Sequence, residues 1–215
     1  MGGDLLDTVD DGEGMACYVG DVAGHGIQAG VFMAMVKSAA RTALLRPGSL
    51  EGLLADLNRV LFEVKAGSSA YVTFACVRCR DRGPGGRMVE YSLAGNGPIL
   101  HYHARAKTTS QLAMEQFPLG MFAHATFQSG VVEIEPGDIL TLLTDGLPEV
   151  EDSTHEQFGL NRIGEMLARN ADSPLADLTQ KIFAAVRQHG PQTDDETLVV
   201  VRATTAVDTS FSPGM

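Results

Sequence analysis

Met15-Ala16-Cys17-Tyr18-Val19-Gly20-Asp21-Val22-Ala23-Gly24-His25-Gly26 begins as a short apolar run, reaches a carboxylate and breaks on two glycines. Residues 15–21 read as a buried strand. Beyond the glycines a helix reads from about Gln28 to Leu45, with Val31, Met35, Ala39 and Ala43 at i, i+4 steps and Phe32, Val36 and Ala40 widening the stripe. Pro47-Gly48 stops it, and Ser49 is placed to cap a second helix carrying Leu50, Leu53, Leu54, Leu57 and Leu61.

Working outward, residues 71–79 and 88–93 read as a hairpin across Gly83-Pro84-Gly85-Gly86, and 99–103 as a strand after Gly95-Asn96-Gly97-Pro98. Residues 104–116 are polar and read as a loop. Residues 126–134 and 138–143 flank the turn Glu135-Pro136-Gly137. Leu160, Ile163 and Leu167, then Leu175, Leu178, Ile182 and Val186, mark two more helices, and 197–202 a last strand. The order is helix pair, strand meander, helix pair, strand, which indicates α+β. Two antiparallel sheets packed together, with a helix pair on each outer face, bury every stripe: a four-layer αββα sandwich. The expected domain is 1–202, and 203–215, with no apolar stripe, reads as a disordered tail.

At 215 residues the chain fits one domain or a tight pair, and its 44% hydrophobic content supports a sizeable core. A net charge of -11 argues against nucleic acid or an anionic membrane as partner. No run approaches the roughly 20 apolar residues of a membrane span, and no signal peptide is visible. Cys17, Cys76 and Cys79 form no disulfide framework, which suits a reducing cytoplasm. Cys76 and Cys79 are three apart on a strand and so point to opposite faces, a structural rather than metal-binding arrangement.

The chemistry lies in four aspartates: Asp4 in Gly-Gly-Asp-Leu-Leu-Asp, Asp21 in Gly-Asp-Val-Ala-Gly-His-Gly, Asp145 in Leu-Leu-Thr-Asp-Gly, and Asp194 in Thr-Asp-Asp-Glu-Thr. The last three sit at or beside strand ends. Carboxylates converging in a cleft repel one another, and a hard divalent cation removes that cost. Oxygen-only ligands suit magnesium or manganese. Any one of these aspartates alone could be a turn residue or helix cap. His101, His103, His124, His155 and His189 show no spacing for a metal site and read mostly as surface residues.

These motifs, with Leu-Ala-Gly-Asn-Gly-Pro, Pro-Leu-Gly-Met and Thr-Asp-Gly-Leu-Pro-Glu-Val, resemble in order the metal-dependent serine/threonine protein phosphatases of type 2C, and most nearly the bacterial SpoIIE-like branch that regulates sigma factors. The resemblance covers roughly residues 1–202. It implies an αββα sandwich with two Mn²⁺ or Mg²⁺ ions at one end. It implies hydrolysis of phosphoserine or phosphothreonine on a regulatory protein, typically an anti-anti-sigma-factor-like domain, by a metal-activated water. Asp4, Asp21, Asp145 and Asp194 match the family's metal aspartates, with Asp21 bridging, and Val22 matches the backbone carbonyl ligand. Asp21 and Asp145 would then be central to activating the water. Asp7, Asp195, His25 and Gly146 stand around them; Asp7 and Asp195 would support the ligands or their waters, and His25 is either a general acid or a histidine of the site rim.

The chain departs from the pattern in places. The resemblance implies a strand before Gly-Gly-Asp, and this sequence has almost nothing there; either that strand lies outside this sequence, or an edge is open to a partner or second copy, and a homodimer is compatible with the branch. Asn96 stands where the branch often has histidine, and the phosphate-anchoring arginine of eukaryotic relatives has no match. The resemblance also implies an upstream sensor domain or activator. Two rival readings remain: a catalytically weak or inactive relative that binds phosphoproteins as a regulatory module, and a hydrolase of small phosphoesters.

Overall fold

The apolar run quoted first becomes β2 (Gly14–Val22), a strand buried for most of its length. The computed structural model describes residues 3–10, 14–24, 26–65, 69–81 and 87–204. β2 pairs antiparallel on one side with β1 (Asp4–Asp10) and on the other with β3 (Val72–Asp81). β4 (Arg87–Ala94) follows β3, and β7 (Gly130–Ile134) completes a five-stranded sheet in the order β1-β2-β3-β4-β7. The second sheet has the order β6-β5-β8-β9, from β5 (Ile99–His103), β6 (Thr108–Leu112), β8 (Ile139–Leu143) and β9 (Leu198–Arg202).

α1 (Gly26–Leu44) and α2 (Leu50–Val64) cover the first sheet, and α3 (Leu160–Arg169) and α4 (Leu175–His189) cover the second. A third apolar cluster, including Cys17, Val77, Leu93, Ile99 and Leu142, fills the space between the sheets. The architecture is the expected α+β sandwich of four layers. Ser49 caps α2 by accepting from the Gly52 N–H at 3.2 Å. Cys76 packs under the helices and Cys79 against the intersheet cluster, on opposite faces as their spacing requires.

Four expectations need correction. α1 buries Ala29, Phe32, Val36, Ala40 and Leu44, while Val31 is 54% exposed, so its inward face is rotated from the stripe that began at Val31. Residues 108–112 are an edge strand within the expected loop 104–116; it is held by backbone pairing to β5 rather than by an apolar pattern. Residues 126–129 are not strand, and β7 and β8 lie in different sheets. The turn between them carries the chain from one sheet to the other. Ala203 is buried and exchanges backbone hydrogen bonds with Gly137 and Asp138, so the fold extends past 202. The expected tail at 205–215 lies outside the described residues.

Leu54 is fully buried between α2 and the first sheet. Leu54→Ala is expected to lower unfolding free energy by about 2–5 kcal/mol in urea titrations, through lost transfer energy and a residual cavity.

Candidate metal centre

Antiparallel pairing places the N-terminal end of β1, the C-terminal end of β2, the C-terminal end of β8 and the chain entering β9 at one end of the sandwich. Asp4 stands directly opposite Asp21 in the β1–β2 register. Like charges in that relation destabilise a sheet unless something compensates them. The Val22 N–H donates to the Gly3 carbonyl at 3.2 Å, continuing the pairing past Asp4. A β-carbon on Gly3 would lie 2.5 Å from Asp21 Oδ1 and 2.7 Å from the Val22 carbonyl oxygen. The glycine therefore leaves open a cradle whose walls are these two oxygens.

The other half comes from the second sheet. The Thr144 N–H donates to the Thr197 carbonyl, and the Thr197 N–H donates to Thr144 Oγ1, both at 3.2 Å. That ladder holds Asp145 beside the 194–195 segment. Thr144 Oγ1 donates to Asp4 Oδ2 at 2.8 Å, tying the two sheets together at the site. A β-carbon on Gly146 would overlap the carbonyl oxygen of Asp195, so the close approach of these two loops requires glycine there. Gly146→Ala is expected to force them apart and weaken Mn²⁺ affinity about 10–100-fold, the scale of a lost supporting interaction, as read by Mn²⁺ titration.

The acidic groups at this end act on one another. Burial pushes the Asp21 carboxyl up to about 6, with further push from Asp4, Asp145, Asp194 and Asp195. Burial also raises Asp4; hydrogen bonds from Thr197 and Thr144 oppose it, and Asp195 and Asp194 reinforce it. Glu149 is raised by burial and by Asp145 and Asp194. No ion pair to Lys or Arg among the described residues relieves Asp4, Asp21, Asp145, Asp194 or Asp195. An all-oxygen set of uncompensated carboxylates around an open cradle fits hard divalent cations.

Other expected site residues fall elsewhere. Asp7 is three residues from Asp4 and so points to the opposite face of β1. There its carboxylate meets Arg41 of α1 at 2.8 Å, and it is not among the acids acting on Asp21. Although burial opposes it, the Arg41 hydrogen bond and charge hold Asp7 below the usual carboxylate range. His25 lies outside the described residues; its neighbours Gly24 and Gly26 have φ of 124° and 78°, a turn that glycine adopts without strain. Asn96 donates from Nδ2 to the Leu143 carbonyl at 3.2 Å, bracing the strand end before Asp145 without any titrating group. Thr144, Thr197 and Glu149 were not singled out from sequence, although each lies inside a quoted motif.

The histidines are also corrected. His101 is 1% exposed, and its ring faces that of His103 with centroids 3.9 Å apart. They lie two apart on one strand, which puts both on one face.

A family profile described as Stage II sporulation protein E (SpoIIE) matches residues 11–204. Phosphoserine phosphatase RsbU of Bacillus subtilis (strain 168) is 27% identical over 206 residues, 94% of this chain and 59% of the relative. The chain thus spans about six-tenths of that relative's length. The crystal structure of the RsbU and RsbW domains of a Mycobacterium tuberculosis protein matches with a TM-score of 0.80 at 25% identity, covering 96% of this chain and 57% of that one. The SiaA-PP2C domain of Pseudomonas aeruginosa matches with a TM-score of 0.80 at 20% identity, covering 94% and 80%.

Proposed function

This chain belongs to the stage II sporulation protein E (SpoIIE) family, and we propose that it is a metal-dependent protein phosphatase that removes phosphate from serine or threonine of a regulatory protein. The observation that supports the reading is the crowding of acidic charge at one end of the sandwich: Asp21 stands opposite Asp4 and its carboxyl is raised by burial and by Asp4, Asp145 and Asp194, with no ion pair to Lys or Arg among the described residues. Asp4, Asp21, the Val22 carbonyl, Asp145 and Asp194 are the groups that would hold two Mn²⁺ or Mg²⁺ ions. Bound there, such ions supply a water of lowered pKa as nucleophile and neutralise charge on the phosphoryl oxygens.

The chain's own residues position this chemistry. Thr144 orients the Asp4 carboxylate, and the Asp21 N–H donates to Thr73 Oγ1 at 3.2 Å, fixing the end of β2. Gly3 lets its strand lie against Asp21 and Val22, and Gly146 lets its loop lie against Asp194 and Asp195. Asp195 adds negative charge beside the set. Carboxylates that hold cations are occupied as ligands, so the nucleophile this reading assigns is a metal-activated water.

The relative from Bacillus subtilis is a named phosphoserine phosphatase, which supports a phosphoserine-bearing protein as substrate, here an anti-anti-sigma-factor-like domain. A location in the cytoplasm follows from that partner. No helix among the described residues is long and apolar enough to cross a membrane. The test is phosphate release from a phosphorylated anti-anti-sigma-type domain, compared with a free nucleotide and a phosphoserine peptide. Turnover of the phosphoprotein at a kcat/KM well above both supports the reading. Preference for the nucleotide overturns it in favour of a small-phosphoester hydrolase, and binding without turnover favours a phosphoprotein-binding module.

A further inference from the structure

We propose that His101, His103 and Asp138 form a second metal site, selective for a borderline transition cation such as Zn²⁺, at the end of the sandwich opposite the carboxylates. One donor atom from each of the three residues lies within 4.8 Å of the other two. A single cation can reach all three after side-chain shifts on the order of 1 Å, given metal–ligand distances of about 2.0–2.2 Å. Two imidazoles and one carboxylate are the donors zinc accepts, whereas magnesium prefers oxygen alone. The donor chemistry therefore separates this site from the one at Asp21.

Each donor is held by the fold before any cation arrives. His101 Nε2 and Asp138 Oδ2 are 2.9 Å apart, and both side chains are buried. Asp138 is anchored by the Ala104 N–H on Oδ1 at 2.8 Å and the Glu135 N–H on Oδ2 at 3.0 Å. Asp138 stands just before β8, while Asp145 follows it at the other end, about 20 Å away by strand rise. His103 is half-buried, so solvent reaches it, and its Nε2 lies 2.8 Å from Ser110 Oγ.

The independent sign is an orphaned atom. His101 Nδ1 is buried and has no hydrogen-bond partner among the described residues. A buried polar nitrogen left so is destabilising. Protonation does not remove the cost, because Nδ1–H would also lack an acceptor. A cation that takes a His101 ring nitrogen as ligand engages an imidazole whose hydrogen bonding is incomplete, and it clips the 135–138 turn to β5. The cation is structural in this position, since it closes the distal end of the sandwich.

The test uses the whole chain, stripped of metal and then held in excess Mg²⁺ so that the carboxylate centre is filled. Co²⁺ is titrated in, and visible absorption is followed. Nitrogen-ligated cobalt of low coordination absorbs strongly, and all-oxygen octahedral cobalt only faintly. The expected result is strong bands saturating at one equivalent and displaced by Zn²⁺. Imidazole NMR resonances of His101 and His103 shift with Zn²⁺, and those of His155 and His189 do not. His103→Ala, at the rim and compatible with folding, is expected to abolish the bands and lower affinity at least tenfold. Absence of the bands in the wild type, or their survival in His103→Ala, overturns the proposal.

Discussion

Asp21→Asn is expected to lower Mn²⁺-dependent phosphate release by at least about 10²–10³-fold, the scale of losing one preorganised electrostatic group. It is also expected to make the metal-free protein more stable. Asp21 stands opposite Asp4 and feels Asp145, Asp194 and Asp195, and its carboxyl is pushed up to about 6 by burial and those neighbours. Because that folded-state value exceeds the ordinary 3.8, the folded chain binds a proton that the unfolded chain releases. The stability this proton gives is fully present below pH 3.8 and is lost as pH rises through about 6. Above that, a charged Asp21 is a liability that the isosteric amide removes. With solvent screening discounted, the gain at neutral pH is on the order of 1–2 kcal/mol. That corresponds to roughly 2–8 °C for a domain of this size. Thermal unfolding in chelator, wild type against variant across pH 4–8, reads it. A variant less stable than wild type at pH 7.5 contradicts the repulsion account.

The second large effect belongs to the metal itself. At a concentration near 100 times its dissociation constant, one bound cation adds about 2.7 kcal/mol to folding stability. Mn²⁺ at pH 7.5 is therefore expected to raise the melting temperature by roughly 5–10 °C. Protons compete for Asp21 below about 6, so the shift shrinks steadily as pH falls through that value. The same titration on Asp21→Asn leaves little shift at any pH. A Mn²⁺ shift that persists undiminished at pH 5, or in the variant, places the ion elsewhere on the chain.

The layers of the fold were legible because each helix carried an apolar stripe and Pro47-Gly48, Gly95-Asn96-Gly97-Pro98 and Glu135-Pro136-Gly137 punctuated them. β1 was not read as a strand, since its inward residues are Leu5, Asp7 and Val9 and Asp7 sits there only because Arg41 reaches it. β6 was missed for a related reason. Thr108–Leu112 has almost no apolar content, and its conformation comes from pairing with β5 and from Thr109 Oγ1 donating to the Gly164 carbonyl at 3.0 Å. Neither partner is visible locally in sequence.

At the site, the four aspartates could be picked out together because each stands beside a glycine or a second acid, and Asp21, Asp145 and Asp194 also end or precede a legible strand. Thr144 could not, since a threonine before Asp-Gly reads as strand, and only the meeting of the two sheets gives it Asp4 as an acceptor. His101 and His103 are the plainest failure. Their alternation on β5 was available, but Asp138 comes from the other side of a turn whose change of sheet the sequence does not announce.

The most direct measurement is hydrolysis of an aryl phosphate by this chain with Mn²⁺ and with chelator, beside Asp145→Asn. The predicted result is turnover that requires Mn²⁺, vanishes in chelator, and falls at least about 10²-fold in the variant. Turnover that persists in chelator, or equal rates in wild type and Asp145→Asn, contradicts a metal centre built on these carboxylates.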